Sequence, residues 1–113
     1  MSPKDERIRL RHMVQAGTKA LAILGTRTRE EFASDETLIL ALTRLLEILG
    51  EAARAVPDEL KAQAPDVPWK AMAGTRDRLI HGYFDVDLDV VWSILSVDLP
   101  ALLPRLQRLL DEG

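Results

Sequence analysis

Apolar residues recur every three or four positions from Leu10 to Leu110, with no sustained alternation of polar and apolar side chains, so the chain reads as helix nearly throughout. A helix with one apolar stripe must bury it against other elements, and the pattern therefore predicts an all-α bundle of four to five helices. With 113 residues the chain has the length of one domain, 1–113, built around one core. No internal repeat, low-complexity segment or linker divides it.

Ser2 reads as the N-cap of the first helix, Pro3 as its first residue, and Asp5 and Glu6 as first-turn acids; the helix is expected to run to about Gly25. Its inward stripe is Leu10, Met13, Val14, Gly17, Leu21 and Leu24. Gly17 either lets a neighbouring helix come close or is a tolerated glycine with no packing role. After a polar turn, Ser34 or Asp35 caps a second long helix that ends before Pro57. Leu38, Leu42, Leu45, Leu49, Ala52, Ala53 and Val56 centre its apolar face, and Ile39, Ala41, Leu46 and Ile48 widen it to about half the circumference. Such a helix must touch at least two others. Arg44, Glu47, Glu51 and Arg54 have the spacing of helix-surface ion pairs and read as its solvated side.

The segment "PDELKAQAP" reads as a short helical turn between prolines, and Pro68 opens a helix expected over 68–81. On a helical wheel Trp69, Met72, Ala73, Leu79 and Ile80 share a face, with Arg76 in its middle. An unpaired buried charge is costly, so an arginine there needs a carboxylate opposite, a path for its head to reach water, or a cleft shared with an anion. His81 falls roughly 140° around an ideal helix from Arg76, beside Lys70, Gly74 and Asp77. The two converge only if the helix unwinds toward Gly82 or another subunit completes the site. Taken alone, His81 reads as a residue near a helix C-terminus, and Tyr83 and Phe84 as apolar closure of the turn.

Asp87 is expected to cap the last helix, whose apolar stripe runs from Leu88 to Leu110 in phase across Pro100 and Pro104. It reads as one helix kinked by its prolines, both on the outward side where water meets the lost backbone bonds. A second apolar row, Val90, Ile94, Val97 and Ala101, needs a cover of its own, either the short helices or another subunit.

A net charge of −3 gives no global attraction to polyanions, so any nucleic-acid contact must come from a local patch. Zero cysteines exclude disulfides, thiol catalysis and Cys-based zinc sites. No Cys or His cluster suggests a metal or another cofactor, and His12 reads as a solvent-facing residue of the first helix. The charged start "MSPKDERIRL" and the shortness of the apolar runs predict a cytoplasmic protein without a membrane segment.

Arg76, His81 and Tyr83 fit an R-x4-H-x-Y pattern, and "LLEILGEAARAV", "PWKAMAGTRDRLIHGYFDVD" and "VWSILSVDLPALL" accompany it over most of the chain. In these blocks and their order the sequence resembles HEPN domains of the HepT type, small helical proteins encoded beside a minimal nucleotidyltransferase of the MntA type. The resemblance implies a HEPN-type bundle that acts as a metal-independent endoribonuclease and needs no cofactor. It implies a homodimer whose R-x4-H motifs face one cleft, serving as the toxin of a toxin–antitoxin pair with RNA as substrate. Arg76 and His81 would be its catalytic pair, with Asp77, where many relatives carry asparagine, and Tyr83 in support. Tyr83 would also accept AMP from the nucleotidyltransferase antitoxin. The chemistry suits the residues: cleavage by an RNA 2′-hydroxyl needs a base, an acid and positive charge for the phosphorane, and a histidine and an arginine supply these. A reading from another class is a non-catalytic helical dimer that binds nucleotide or supports the partner nucleotidyltransferase.

Overall fold

The computed structural model describes residues 3–81 and 85–112, with the backbone alone described for residues 3–6 and His81. It is the expected all-α bundle. The first helix, α1, spans Pro3–Leu24 and stops at Gly25, whose φ of +59° is the left-handed conformation that glycine adopts without penalty. Arg27 folds back to donate from Nη1 to the carbonyls of Ile23 at 2.7 Å and Leu24 at 3.2 Å, at the end of the helix where carbonyls lack intrahelical partners; Leu24 O also accepts from Arg27 N at 3.3 Å. The cap expected from Ser2 falls outside the described residues. Gly17 has the packing role: a Cβ there would stand 2.7 Å from Leu103 Cδ2 of the last helix. His12 is half-buried rather than solvent-facing.

Where a polar turn was expected, a short helix α2 forms over Arg29–Ala33. Thr28 Oγ1 accepts from Glu31 N at 3.1 Å while Glu31 Oε1 accepts from Thr28 N at 2.9 Å, a reciprocal cap written in the sequence as Thr-x-x-Glu. The helix carries Phe32 into the core, where its ring centroid lies 5.7 Å from that of Trp92. Of the two candidate caps for the next helix, α3 (Glu36–Ala55), the structure uses Asp35, which accepts from Leu38 N at 3.0 Å. As its broad apolar face required, α3 is the central element. It packs along α1 on one side and against the following short helices on the other.

The turn between prolines is α4, Asp58–Lys61. Beyond it the single helix expected over 68–81 is two: α5, Trp69–Ala73, and α6, Thr75–Leu79, meeting at Gly74. The chain then turns extended. Ile80–His81 (β1) pairs antiparallel with Asp85–Val86 (β2), Ile80 facing Val86, and Asp87 N donates to Leu79 O at 2.7 Å. Strands of two residues are too short to show an alternation in the sequence, and the helical reading misses this ribbon.

Asp87 caps α7, Leu88–Ser93, by accepting from Val90 N at 3.1 Å. The predicted kink is one turn of π-helix, Ile94–Asp98, ahead of α8, Leu99–Asp111. Pro100 cannot donate, and in an α-helix its ring would press on the carbonyl four residues back; the wider turn, closed by Leu99 N to Ile94 O, relieves both. Because that turn holds more than four residues, Val91, Leu95 and Leu99, spaced by four, all stay inward. Pro100 and Pro104 are exposed, as expected. Arg7 Nη1 closes the bundle by donating to Leu109 O at 2.9 Å and Leu110 O at 3.1 Å, carbonyls near the end of α8. Among the described residues no helix is long and apolar enough to cross a membrane.

Candidate active site

Thr43, Glu47, Gly50 and Arg54 fall within roughly 60° of one another on a helix that turns 100° per residue, so they form one row along α3. That row meets the joint between α5 and α6. At its centre Gly50 lets the backbones touch: a Cβ there would stand 2.8 Å from Met72 O and 3.4 Å from Thr75 Cβ. One turn onward, Arg54 Nη2 donates to Ala73 O at 3.0 Å, satisfying a carbonyl that the break at Gly74 frees. One turn back, Glu47 Oε2 lies 3.5 Å from Arg76 Nε. Thr43 is also buried in this row, and its hydroxyl has no hydrogen-bond partner among the described residues.

This arrangement overturns two expectations. Arg76 does not occupy a core slot; its side chain is 69% exposed. The break at Gly74 gives α6 its own orientation, in which Thr75 and Leu79 point inward and Arg76, Asp77 and Arg78 outward. Nor is Glu47 part of a solvated face, since its side chain is only 14% exposed. Of the four residues read as surface ion pairs, Arg44 and Glu51 do pair, at 3.4 Å and both exposed, while Glu47 and Arg54 turn to the α5–α6 joint. A carboxylate, one of the three partners considered for Arg76, is present, on a residue assigned to the wrong side of its helix. The missed signal was the pairing of small Thr43 and Gly50 with Glu47 and Arg54: short side chains on an otherwise polar flank mark where another segment packs.

The angular objection to His81 disappears, because the helix ends at Leu79. Ile80 is extended, with φ −123° and ψ 124°, and His81 stands in β1 opposite Asp85. Asp77 is exposed on α6. Tyr83 lies outside the described residues. Among the described residues no group of three or more His, Asp or Glu side chains is placed to hold a metal ion.

Beside the joint, a groove of about 480 Å³ runs between α3, α5, the π-helical turn and α8, floored by Leu46, Leu49, Met72, Ile94 and Leu102. Arg78 stands at it, with the pair in which Arg105 Nε reaches Asp66 Oδ2 at 2.9 Å. Arg105 holds the Asp66 carboxyl below the ordinary carboxylate range and is itself raised by Asp66. The second apolar row of the last helix ends here. The chain's own elements bury Ile94 and leave Val97 64% exposed.

Residues 4–109 match the family model described as "Ribonuclease HepT-like". Over 80 residues, 71% of this chain and 73% of the relative, the sequence is 41% identical to a probable ribonuclease HepT of Thermococcus cleftensis. It is 39% identical over 83 residues, 74% of each chain, to a candidate RNase of Caldanaerobacter subterraneus. A candidate RNase of Methanocaldococcus jannaschii is 30% identical over 112 residues, covering 99% of this chain and 93% of that one. No solved structure gives a significant match.

Proposed function

The chain belongs to the HepT-like ribonuclease family, and from that premise we propose that it is a metal-independent endoribonuclease, the toxin of a toxin–antitoxin pair, with Arg76 and His81 as its catalytic residues. One observation supports the assignment: Arg76 presents a largely exposed side chain on α6 while the mostly buried carboxylate of Glu47 lies 3.5 Å from its Nε. An arginine placed this way can receive a phosphate without leaving an unpaired charge inside the protein.

In the reaction the RNA 2′-oxygen attacks the adjacent phosphorus, its proton passes to a base, and the 5′-oxygen leaves with a proton from an acid, giving a 2′,3′-cyclic phosphate and a 5′-hydroxyl. His81, whose ordinary pKa near 6.5 serves either role, supplies base or acid. Two subunits facing one cleft supply both. The Arg76 fork stabilises charge on the non-bridging oxygens as the phosphorane forms. Control runs through Tyr83: an MntA-type nucleotidyltransferase transfers AMP from ATP to the phenolic oxygen, releasing pyrophosphate, and the adenylate phosphate competes with RNA for Arg76.

The deciding experiment gives the purified protein defined RNAs in EDTA and identifies the product ends by mass spectrometry. Cyclic phosphate ends whose yield falls by roughly a hundredfold or more with Arg76→Ala and with His81→Ala are expected. Binding without cleavage would instead assign the protein to the non-catalytic class.

A further inference from the structure

Within the endoribonuclease reading, on which this inference rests, we propose that Glu47 is a positioning residue that holds the Arg76 guanidinium by its Nε edge so that the Nη edge faces the RNA phosphate. Arg76 sits on a helix of five residues and its side chain is mostly in water, a setting in which a long flexible arginine samples many rotamers. Glu47 is its opposite. It belongs to a helix of 20 residues, one turn from Gly50 where the backbones are in contact, and its side chain has little room.

The contact is made at Nε, 3.5 Å from Oε2. A guanidinium is planar, and a carboxylate held at its Nε side leaves N–H groups of both terminal nitrogens for a second partner. Phosphate recognition uses such a two-pronged edge.

Electrostatics argues that orientation, not affinity, is the gain. A carboxylate beside an anion site lowers the local positive potential and so opposes RNA binding. Removing its charge should leave ground-state binding equal or tighter while the chemical step slows, because the fork is no longer held in line with the phosphorane. A residue that merely stabilised the fold would change neither KM in that direction nor the order of Arg76.

The test is Glu47→Gln, which keeps the size and removes the charge, with Glu47→Asp as the conservative partner. Thermal unfolding identifies the folded variants. For Glu47→Gln a fall in kcat of roughly tenfold or more with KM unchanged or lower is expected, with partial recovery in Glu47→Asp. In an Arg76→Ala background Glu47→Gln should add no further loss. A second arm needs no activity: the ¹⁵Nε–¹Hε group of Arg76 should be ordered by heteronuclear NMR relaxation in the wild type and mobile in Glu47→Gln. Wild-type kcat in Glu47→Gln, a further loss in the Arg76→Ala background, or an equally mobile Arg76 Nε in both proteins overturns the proposal. Absence of cleavage by the wild type overturns the nuclease reading instead, and the relaxation arm then decides the pairing alone.

Discussion

Gly50 of α3 lies so close to Met72 of α5 that a Cβ on the glycine would stand 2.8 Å from the Met72 carbonyl oxygen. That oxygen is backbone and cannot swing aside. Gly17 of α1 meets an equally short contact, 2.7 Å, but with the Cδ2 end of the Leu103 side chain. The two glycines therefore differ in what must give way. Alanine improves helix propensity by about 1 kcal/mol at either site. At Gly50 overpacking of about 1–3 kcal/mol exceeds that gain, and Gly50→Ala should lose net stability and shift the α5–α6 joint. Gly17→Ala should stay within about 1 kcal/mol of wild type, because Leu103 can rotate. Urea unfolding of both variants at equal protein concentration gives the comparison, and equal losses would show that helix α5 yields as easily as a leucine.

Arg76→Lys retains the positive charge and loses the planar fork. Cleavage should fall about as far as in Arg76→Ala, roughly a hundredfold or more, while RNA binding at low salt weakens only modestly. Initial rates and filter-binding constants on one RNA suffice. Substantial activity in the lysine variant would mean that Arg76 acts as a point charge.

Tyr83→Phe removes the phenolic oxygen and keeps the ring. The variant should fold, arrest growth when expressed, and escape the partner nucleotidyltransferase. Intact-protein mass spectrometry after incubation with that enzyme, ATP and magnesium should show an added adenylate on the wild type alone. An adenylate on the variant would place control at another residue.

A homodimer whose seam includes Val90, Ile94 and Val97 remains the expectation for the second apolar row, but Ile94 is already buried by its own chain. The free contribution therefore falls chiefly to Val97. Light scattering at micromolar concentration should return a dimer mass for the wild type and a monomer mass for Val97→Asp. A monomeric wild type would rule out this seam.

Two surface carboxylates contribute to the acid response. Hydrogen bonds from Thr28, and from Arg105, hold Glu31 and Asp66 below the ordinary carboxylate range. The unfolded chain takes up these protons at higher pH than the folded protein. Their contribution to stability is thus complete above the ordinary carboxylate range and is lost as pH falls below that range, through the lowered folded values. Both groups are exposed, so salt should blunt the effect. Thermal unfolding between pH 7 and pH 3 should be less pH-dependent in Asp66→Asn than in the wild type, and identical slopes would remove Asp66 from the account.

The sequence by itself determined the parts whose causes are local. A cap at Ser34 or Asp35 and one at Asp87 start their helices, Gly25 ends α1, prolines bracket α4 and distort the last helix, and the leucine stripes give an all-α bundle, because each depends on residues within a few positions along the chain. The resemblance carried by Arg76, His81 and Tyr83 likewise needed only order and spacing, and the family match agrees with it. Only the tertiary structure decided which way Arg76 faces and what it faces. A wheel drawn over 68–81 assumed one helix, and the break at Gly74 voids that phase; a wheel drawn on α3 finds the leucines but cannot say that a second row, Thr43, Glu47 and Gly50, is covered as well. Whether a polar row is solvent or interface depends on which distant segment packs there. For Glu47 that segment begins 22 positions later, at Trp69, and the contact at Gly50 that brings it in is a matter of backbone proximity, which no side-chain periodicity encodes.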